Sequence, residues 1–193
     1  AEGDRSNLGV IVAIVIATLP VVVVGLLFKD QLEQVFNTPV AAGFGLCVTC
    51  GLLFLTPRID RGTQPLEQIH WSNAILVGLF QAVAPMPGIS RSGTTIVGGM
   101  LSGLRRDAAA NFSFLIAIPA ILGATILHAK DLLEQGAGET PPGAILAGTV
   151  VAFVVGLAAL KLLLRLVAAG KLVWFAWYCL VVGVSVIIWQ LSV

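Results

Sequence analysis

Five stretches of this chain run for roughly 18 to 22 residues without an Asp, Glu, Lys or Arg: Leu8–Phe28, Pro39–Thr56, Ala108–Ala129, Gly143–Leu160 and Leu172–Val193. Each approaches or exceeds the ~20 apolar residues that cross a bilayer as a helix. All ten acidic residues lie outside them. With 58% hydrophobic and 11% charged residues, the chain lacks the roughly 25% charge of an ordinary soluble domain. Disorder and a disulfide-stapled secreted module are excluded on the same grounds. The expected fold is an all-α polytopic membrane protein. A net charge of +1 gives no footprint for nucleic acid.

Residues 71–104 break the pattern. Thirteen residues, WSNAILVGLFQAV, precede a loop-like centre, APMPGISRSG, and eleven follow it. At 1.5 Å per residue each arm reaches only about 15–20 Å, too short for two spans across a ~30 Å core. Either one broken span or a re-entrant hairpin remains. The hairpin puts Arg5, Arg58, Arg61, Arg105, Arg106, Lys161, Arg165 and Lys171 on one side and only Lys29 and Lys130 on the other. A single span divides the same residues four against six, so the positive-inside rule selects a hairpin entered from the cytoplasmic side. Five spans then put the C-terminus outside.

Val23-Val24-Gly25-Leu26 echoes Val154-Val155-Gly156-Leu157 on spans of opposite direction, as inverted repeats do. Residues 1–70 are accordingly read as the remainder of a first repeat and 71–193 as a second. On this reading a hairpin and a span precede Ala1, and the opening AEGDRSN, without a signal-peptide n-region, reads as the interior of a longer protein.

The hairpin centre, Pro85 to Thr95, carries the chemistry. Ser90 or Ser92 can cap the second arm, whose first-turn N–H groups lack intrahelical acceptors. A helix start near the bilayer midplane, with hydroxyls from Ser90, Ser92, Thr94 and Thr95, is an anion site. Arg91 is the one charged side chain expected inside the membrane, where an unpaired arginine costs several kcal/mol. No carboxylate in any span can neutralise it, whereas phosphate suits its planar fork. The structural alternative is that Arg91 snorkels or meets backbone carbonyls. Gln81, on the first arm, either pins the hairpin or lines the site.

Other features have plainer readings. Cys47 and Cys50 are small residues at a helix contact rather than a redox or zinc pair. Gly99 and Gly103 on the second arm suit close helix packing. His70 and His128 fall at segment ends, and Trp71, Trp174, Trp177, Tyr178 and Trp189 form an interfacial belt. Lys161 to Lys171 reads as a cytoplasmic loop. Phosphate-loop, zincin and nucleophile-elbow motifs are absent from the sequence.

FQAVAPMPGISRSGTTIVGGMLSGL and the following AAANFSFLIAIPAILGAT resemble a signature region of the bacterial undecaprenyl-diphosphate phosphatases, the bacitracin resistance protein family. The resemblance follows segment order over the whole chain. It implies an inner-membrane enzyme with inverted repeats and two hairpins. Such an enzyme removes the terminal phosphate of a C55 polyprenyl diphosphate, with a divalent cation (Mg or Ca), and so recycles the cell-wall lipid carrier. By motif position Arg91 would hold the diphosphate, with catalytic contacts from Ser90 and Thr95. Gly88, Ser92, Gly93, Thr94 and Gln81 would shape or line the substrate site, with no metal ligand among them. Asn111 lies where some relatives carry an acid and is assigned nothing. The family's glutamate-rich hairpin and Ser-Ser-Thr-Gly-His sequence, the expected source of metal ligands and nucleophile, have no match here. The chain alone is therefore expected to bind diphosphate poorly and not turn it over. The implied partners are the lipid diphosphate and the bilayer, with a homodimer allowed. The competing reading is a transporter or flippase of polyprenyl phosphate or another anion, because broken helices at the midplane also serve transport.

Overall fold

The computed structural model describes residues 2–135 and 141–192; the side chains of Arg5 and His128, both placed above from sequence, lie outside the described residues. The described residues form eight α-helices and one 3-10 turn. These are α1 (Glu2–Leu27), α2 (Lys29–Phe36), α3 (Pro39–Ile59), the turn Leu66–Gln68, α4 (Trp71–Ala82), α5 (Arg91–Leu101), α6 (Arg106–Gln135), α7 (Pro142–Ala168) and α8 (Leu172–Leu191). Five of them, α1, α3, α6, α7 and α8, are long and apolar enough to cross a membrane. Their outward faces carry Leu, Ile, Val and Phe by the dozen, the surface of a protein solvated by lipid. The chain is a multi-pass membrane protein.

The short arms are the helices α4 and α5, joined by residues 83–90. Their open ends meet. Asn73 Nδ2 donates to the Ser102 carbonyl at 2.7 Å while its Oδ1 accepts from the His70 N–H at 2.9 Å. Gln64 pairs its backbone with Gly103 and Arg105, tying the preceding loop to the end of the hairpin. Small residues bring the arms in. A Cβ on Gly98 would stand 2.9 Å from the Phe80 ring, and one on Gly99 2.8 Å from Ala109 Cβ on α6. Gly103, expected to continue this helical stripe, instead lies beyond α5. Its φ of +98° turns the chain out of the hairpin, a conformation costly for any residue with a Cβ.

The loop at the closed end rests on α3. Gly88, with φ +79°, sits where a Cβ would stand 2.0 Å from the Ala42 carbonyl oxygen, and a Cβ on Gly45 would stand 2.1 Å from that of Pro87. Ala42 lies about 25 Å along α3 from Ile59, at 1.5 Å per residue. The hairpin tip therefore reaches past the middle of α3.

Helix α8 runs antiparallel along α3, with Gly43 facing Gly183 and Ile187, and Trp177 edge-on to Phe54 at 5.1 Å. Cys47 Sγ lies 3.1 Å from where a Cβ on Gly183 would stand, so this cysteine is a helix-contact residue, as its setting implied. Arg106 joins three elements at the hairpin's open end: it pairs with Asp60 beyond α3 and donates to the Val167 carbonyl near the end of α7. Arg58, Arg61, Arg105, Arg106, Arg165 and Lys171 therefore share one end of the bundle, while Lys29 and Lys130 follow spans that run to the other.

One element departs from expectation. Lys161 to Lys171 is not a loop, because α7 continues unbroken to Ala168. The segment KLLLRLVAA contains neither Gly nor Pro and consists largely of good helix formers. Lys161 and Arg165 are carried on the helix, where long cationic stems can reach an interface. The turn comes only at Gly170, with φ +69°. Helix α2, a short and exposed amphipathic element, was not anticipated.

A candidate anion site at the start of the fifth helix

Ser90 occupies the N-cap of α5, and its Oγ accepts from the Gly93 N–H at 3.1 Å. Arg91 is the first helical residue, so its own N–H and that of Ser92 point out of the helix start without an intrahelical acceptor. The Arg91 side chain turns toward α4 and α6. One Nη2 donates both to Gln81 Oε1 and to the Ile116 carbonyl, each at 2.8 Å. Among the described residues, Nε and Nη1 have no hydrogen-bond partner and no carboxylate pairs with the guanidinium. Ile116 lies ten residues into α6, about 15 Å from its start, half the depth of a ~30 Å core.

Gln81 pins the hairpin. It is fully buried, holds Arg91 through Oε1, and donates through Nε2 to the Ala17 carbonyl of α1 at 3.3 Å. Neutral acceptors thus fix the direction of the guanidinium and leave its charge uncompensated. Two donor-bearing nitrogens remain for a ligand.

The hydroxyls divide into two groups. Thr94 and Thr95 are buried. Thr94 donates back to the carbonyls of its own helix start at 2.9–3.1 Å, and Thr95 donates to the Arg91 carbonyl at 2.8 Å and meets Ser113 Oγ at 2.6 Å. They brace the turn that carries Arg91. Ser92, by contrast, makes no side-chain hydrogen bond among the described residues and faces a cavity between α3, α7 and α8. Arg91 and Ser92 therefore leave on different faces of one helix start, with Gly93 packed between the cap and Leu53.

Three contributors escaped the sequence reading. Thr49, in the middle of α3, donates to the Gly88 carbonyl at 3.2 Å and accepts the Ser90 N–H at 2.9 Å, pinning the loop from both sides of Ile89. Ser113 and Ile116 lie within the Phe112–Pro119 stretch but offered no motif of their own. Pro119, one turn on, removes an N–H from the same part of α6.

The profile of the family described as "Bacitracin resistance protein BacA" matches residues 1–185. The chain belongs to that family. Among its BacA-family relatives, a protein of Rhodopirellula baltica named undecaprenyl-diphosphatase is 48% identical over 189 residues, 97% of this chain and 72% of that protein. Relatives of the same name from Alkaliphilus metalliredigens and Halothermothrix orenii are each 40% identical, covering 92% of this chain and 65% and 68% of their own lengths. The chain thus spans roughly two thirds of the BacA-family proteins it matches.

Proposed function

We propose that this chain forms the anion-holding part of an integral membrane enzyme that hydrolyses undecaprenyl diphosphate to undecaprenyl phosphate and inorganic phosphate. The reaction regenerates the carrier lipid and underlies bacitracin resistance. The observation that carries the reading is the Arg91 guanidinium, oriented by neutral groups and left without a counter-ion among the described residues. A diphosphate supplies that counter-ion and accepts from Nε–H, Nη1–H and the N–H groups of Arg91 and Ser92. As the nucleophile's oxygen bonds to the terminal phosphorus and the bridging P–O bond breaks, negative charge grows on the leaving oxygen. Fixed donors stabilise that charge without reorganising. Ser90 serves as the cap, and Thr94 and Thr95 as braces beneath the arginine.

The divalent cation expected from the resemblance does not fit this donor set. Guanidinium, amide N–H and hydroxyl groups suit an anion, and the described residues hold no cluster of three His, Cys, Asp or Glu. The cation therefore has no part in the steps assigned to these residues. The relatives' names favour hydrolysis over transport. The hairpin enters the bilayer from the cytoplasmic side of the bacterial inner membrane, and the C-terminus lies outside. The activity needs the lipid diphosphate and the bilayer.

The test is phosphate release by protein expressed from its complete reading frame. Arg91→Ala is expected to lower turnover at least ~100-fold, the scale of one lost transition-state donor pair. Near-normal turnover overturns the assignment.

A further inference from the structure

Among the described residues, three prolines lie inside helices beyond the first turn: Pro20 in α1, Pro57 in α3 and Pro119 in α6. Each lacks the N–H that would bond the carbonyl four residues back, and its ring pushes against that carbonyl and bends the helix. At Pro57 the freed carbonyl is that of Leu53, and Thr56 Oγ1 of the same helix donates to it at 2.7 Å. At the other two prolines a different element uses the opened turn. The Ala17 carbonyl, three residues before Pro20, accepts from Gln81 Nε2 at 3.3 Å. The Ile116 carbonyl, three residues before Pro119, accepts from Arg91 Nη2 at 2.8 Å. Ala17, Gln81 and Ile116 are all fully buried. Helix α4 packs directly on the α1 turn: a Cβ on Gly78, one turn before Gln81, would stand 2.9 Å from the Ala17 carbonyl oxygen and 3.1 Å from Pro20 Cγ. Thr18 Oγ1 donates back to the Ile14 carbonyl at 2.7 Å, a bond that also bends helices.

We propose that Pro20 and Pro119 are positioning residues for Arg91, each opening one turn of a spanning helix so that its carbonyl holds one end of the Gln81–Arg91 pair. This rests on the reading of Arg91 as the diphosphate holder. A carbonyl can only accept a hydrogen bond. At Ala17 it therefore draws the NH2 end of the Gln81 amide and turns Oε1 toward Arg91. An amide released from Ala17 is free to rotate and set its own N–H groups against the guanidinium, which has no acceptor. At Ile116 the second carbonyl holds the same Nη2 from the α6 side. Carbonyls carry no net charge, so the two turns fix the direction of the guanidinium without replacing the counter-ion that a diphosphate provides. In an unbroken helix the carbonyls lie along the axis and serve the helix's own N–H groups, which leaves Gln81 and Arg91 without these two anchors.

The test is a double-mutant cycle on phosphate release by the protein from its complete reading frame, read beside its midpoint of thermal unfolding in detergent. Alanine restores the missing N–H and is the better helix former, so Pro20→Ala and Pro119→Ala are expected to unfold no earlier than wild type. Each is nonetheless expected to lower kcat/KM for undecaprenyl diphosphate about tenfold, the scale of one hydrogen bond to a charged group. In a Gln81→Met background, where the link from Ala17 to Arg91 is already cut, Pro20→Ala is expected to change kcat/KM by less than about twofold, because coupled residues are not additive. A proline that only shapes the bundle lowers the unfolding midpoint together with activity, or costs the same factor in both backgrounds, and either result overturns the proposal. Wild-type kcat/KM in both proline variants, with phosphate release still dependent on Arg91, overturns it as well and leaves the hydrolase reading standing. Wild-type protein that releases no phosphate overturns the hydrolase reading and this proposal with it.

Discussion

At the scale of single residues, the site depends on how an arginine is held without being neutralised. Gln81 and the Ile116 carbonyl occupy one nitrogen of the guanidinium and orient the rest. Thr49 has no contact with that side chain, yet it fixes both ends of the Gly88–Ser90 turn through one hydroxyl. Thr49→Val keeps the shape and removes both hydrogen bonds, at about 0.5–1.5 kcal/mol each. The expected result is a roughly tenfold lower kcat for phosphate release with unchanged helical content, restored in Thr49→Ser. Arg91 was legible in the sequence because charge in an apolar run is conspicuous. Thr49 was not, because a threonine in a helical span is ordinary until a loop from forty residues away lands on it. The hydroxyls of Thr94 and Thr95 misled for a related reason. Within a helix, a threonine commonly bonds the carbonyl three or four residues back, so proximity to Arg91 in sequence did not make them free donors.

Helix boundaries were readable where composition changes abruptly and unreadable where it drifts. The arms of the hairpin stand out because Pro85, Pro87 and Gly88 interrupt an apolar run. The end of α7 does not, since Lys161 and Arg165 are good helix formers as well as charges. The continuation matters to packing, because it brings the Val167 carbonyl to Arg106, which also pairs with Asp60. Arg106→Ala removes the link between α3, α6 and α7 and leaves a partly exposed carboxylate without its partner. A loss of about 1.5–3 kcal/mol is expected, read as a lower midpoint of thermal unfolding in detergent, while Arg105→Ala, whose Asp107 partner is exposed, shifts it little.

Across the whole molecule, the bundle is built around a hairpin whose closed end is pressed on α3 and whose open end lies among most of the basic residues. The order of spans was legible from uncharged length alone, and the antiparallel course of α3 and α8 confirms that the C-terminus and Lys29 share an end. The contact of the tip with Ala42 and Gly45 was not legible, because it joins segments with no shared motif. The proposed orientation, with the basic end cytoplasmic, predicts that alkaline phosphatase fused after Val193 is active in cells; a fluorescent cytoplasmic reporter working at the same position would reverse it. The central proposal, that the Arg91 charge, uncompensated among the described residues, is kept for a diphosphate, is tested most directly by supplying a counter-ion from within. Gln81→Glu places a carboxylate against Arg91 in the same volume. Steady-state phosphate release should show KM for undecaprenyl diphosphate raised at least ~10-fold, with a smaller change in Gln81→Met, which removes the acceptor and adds no charge. An unchanged KM in folded Gln81→Glu would contradict the account.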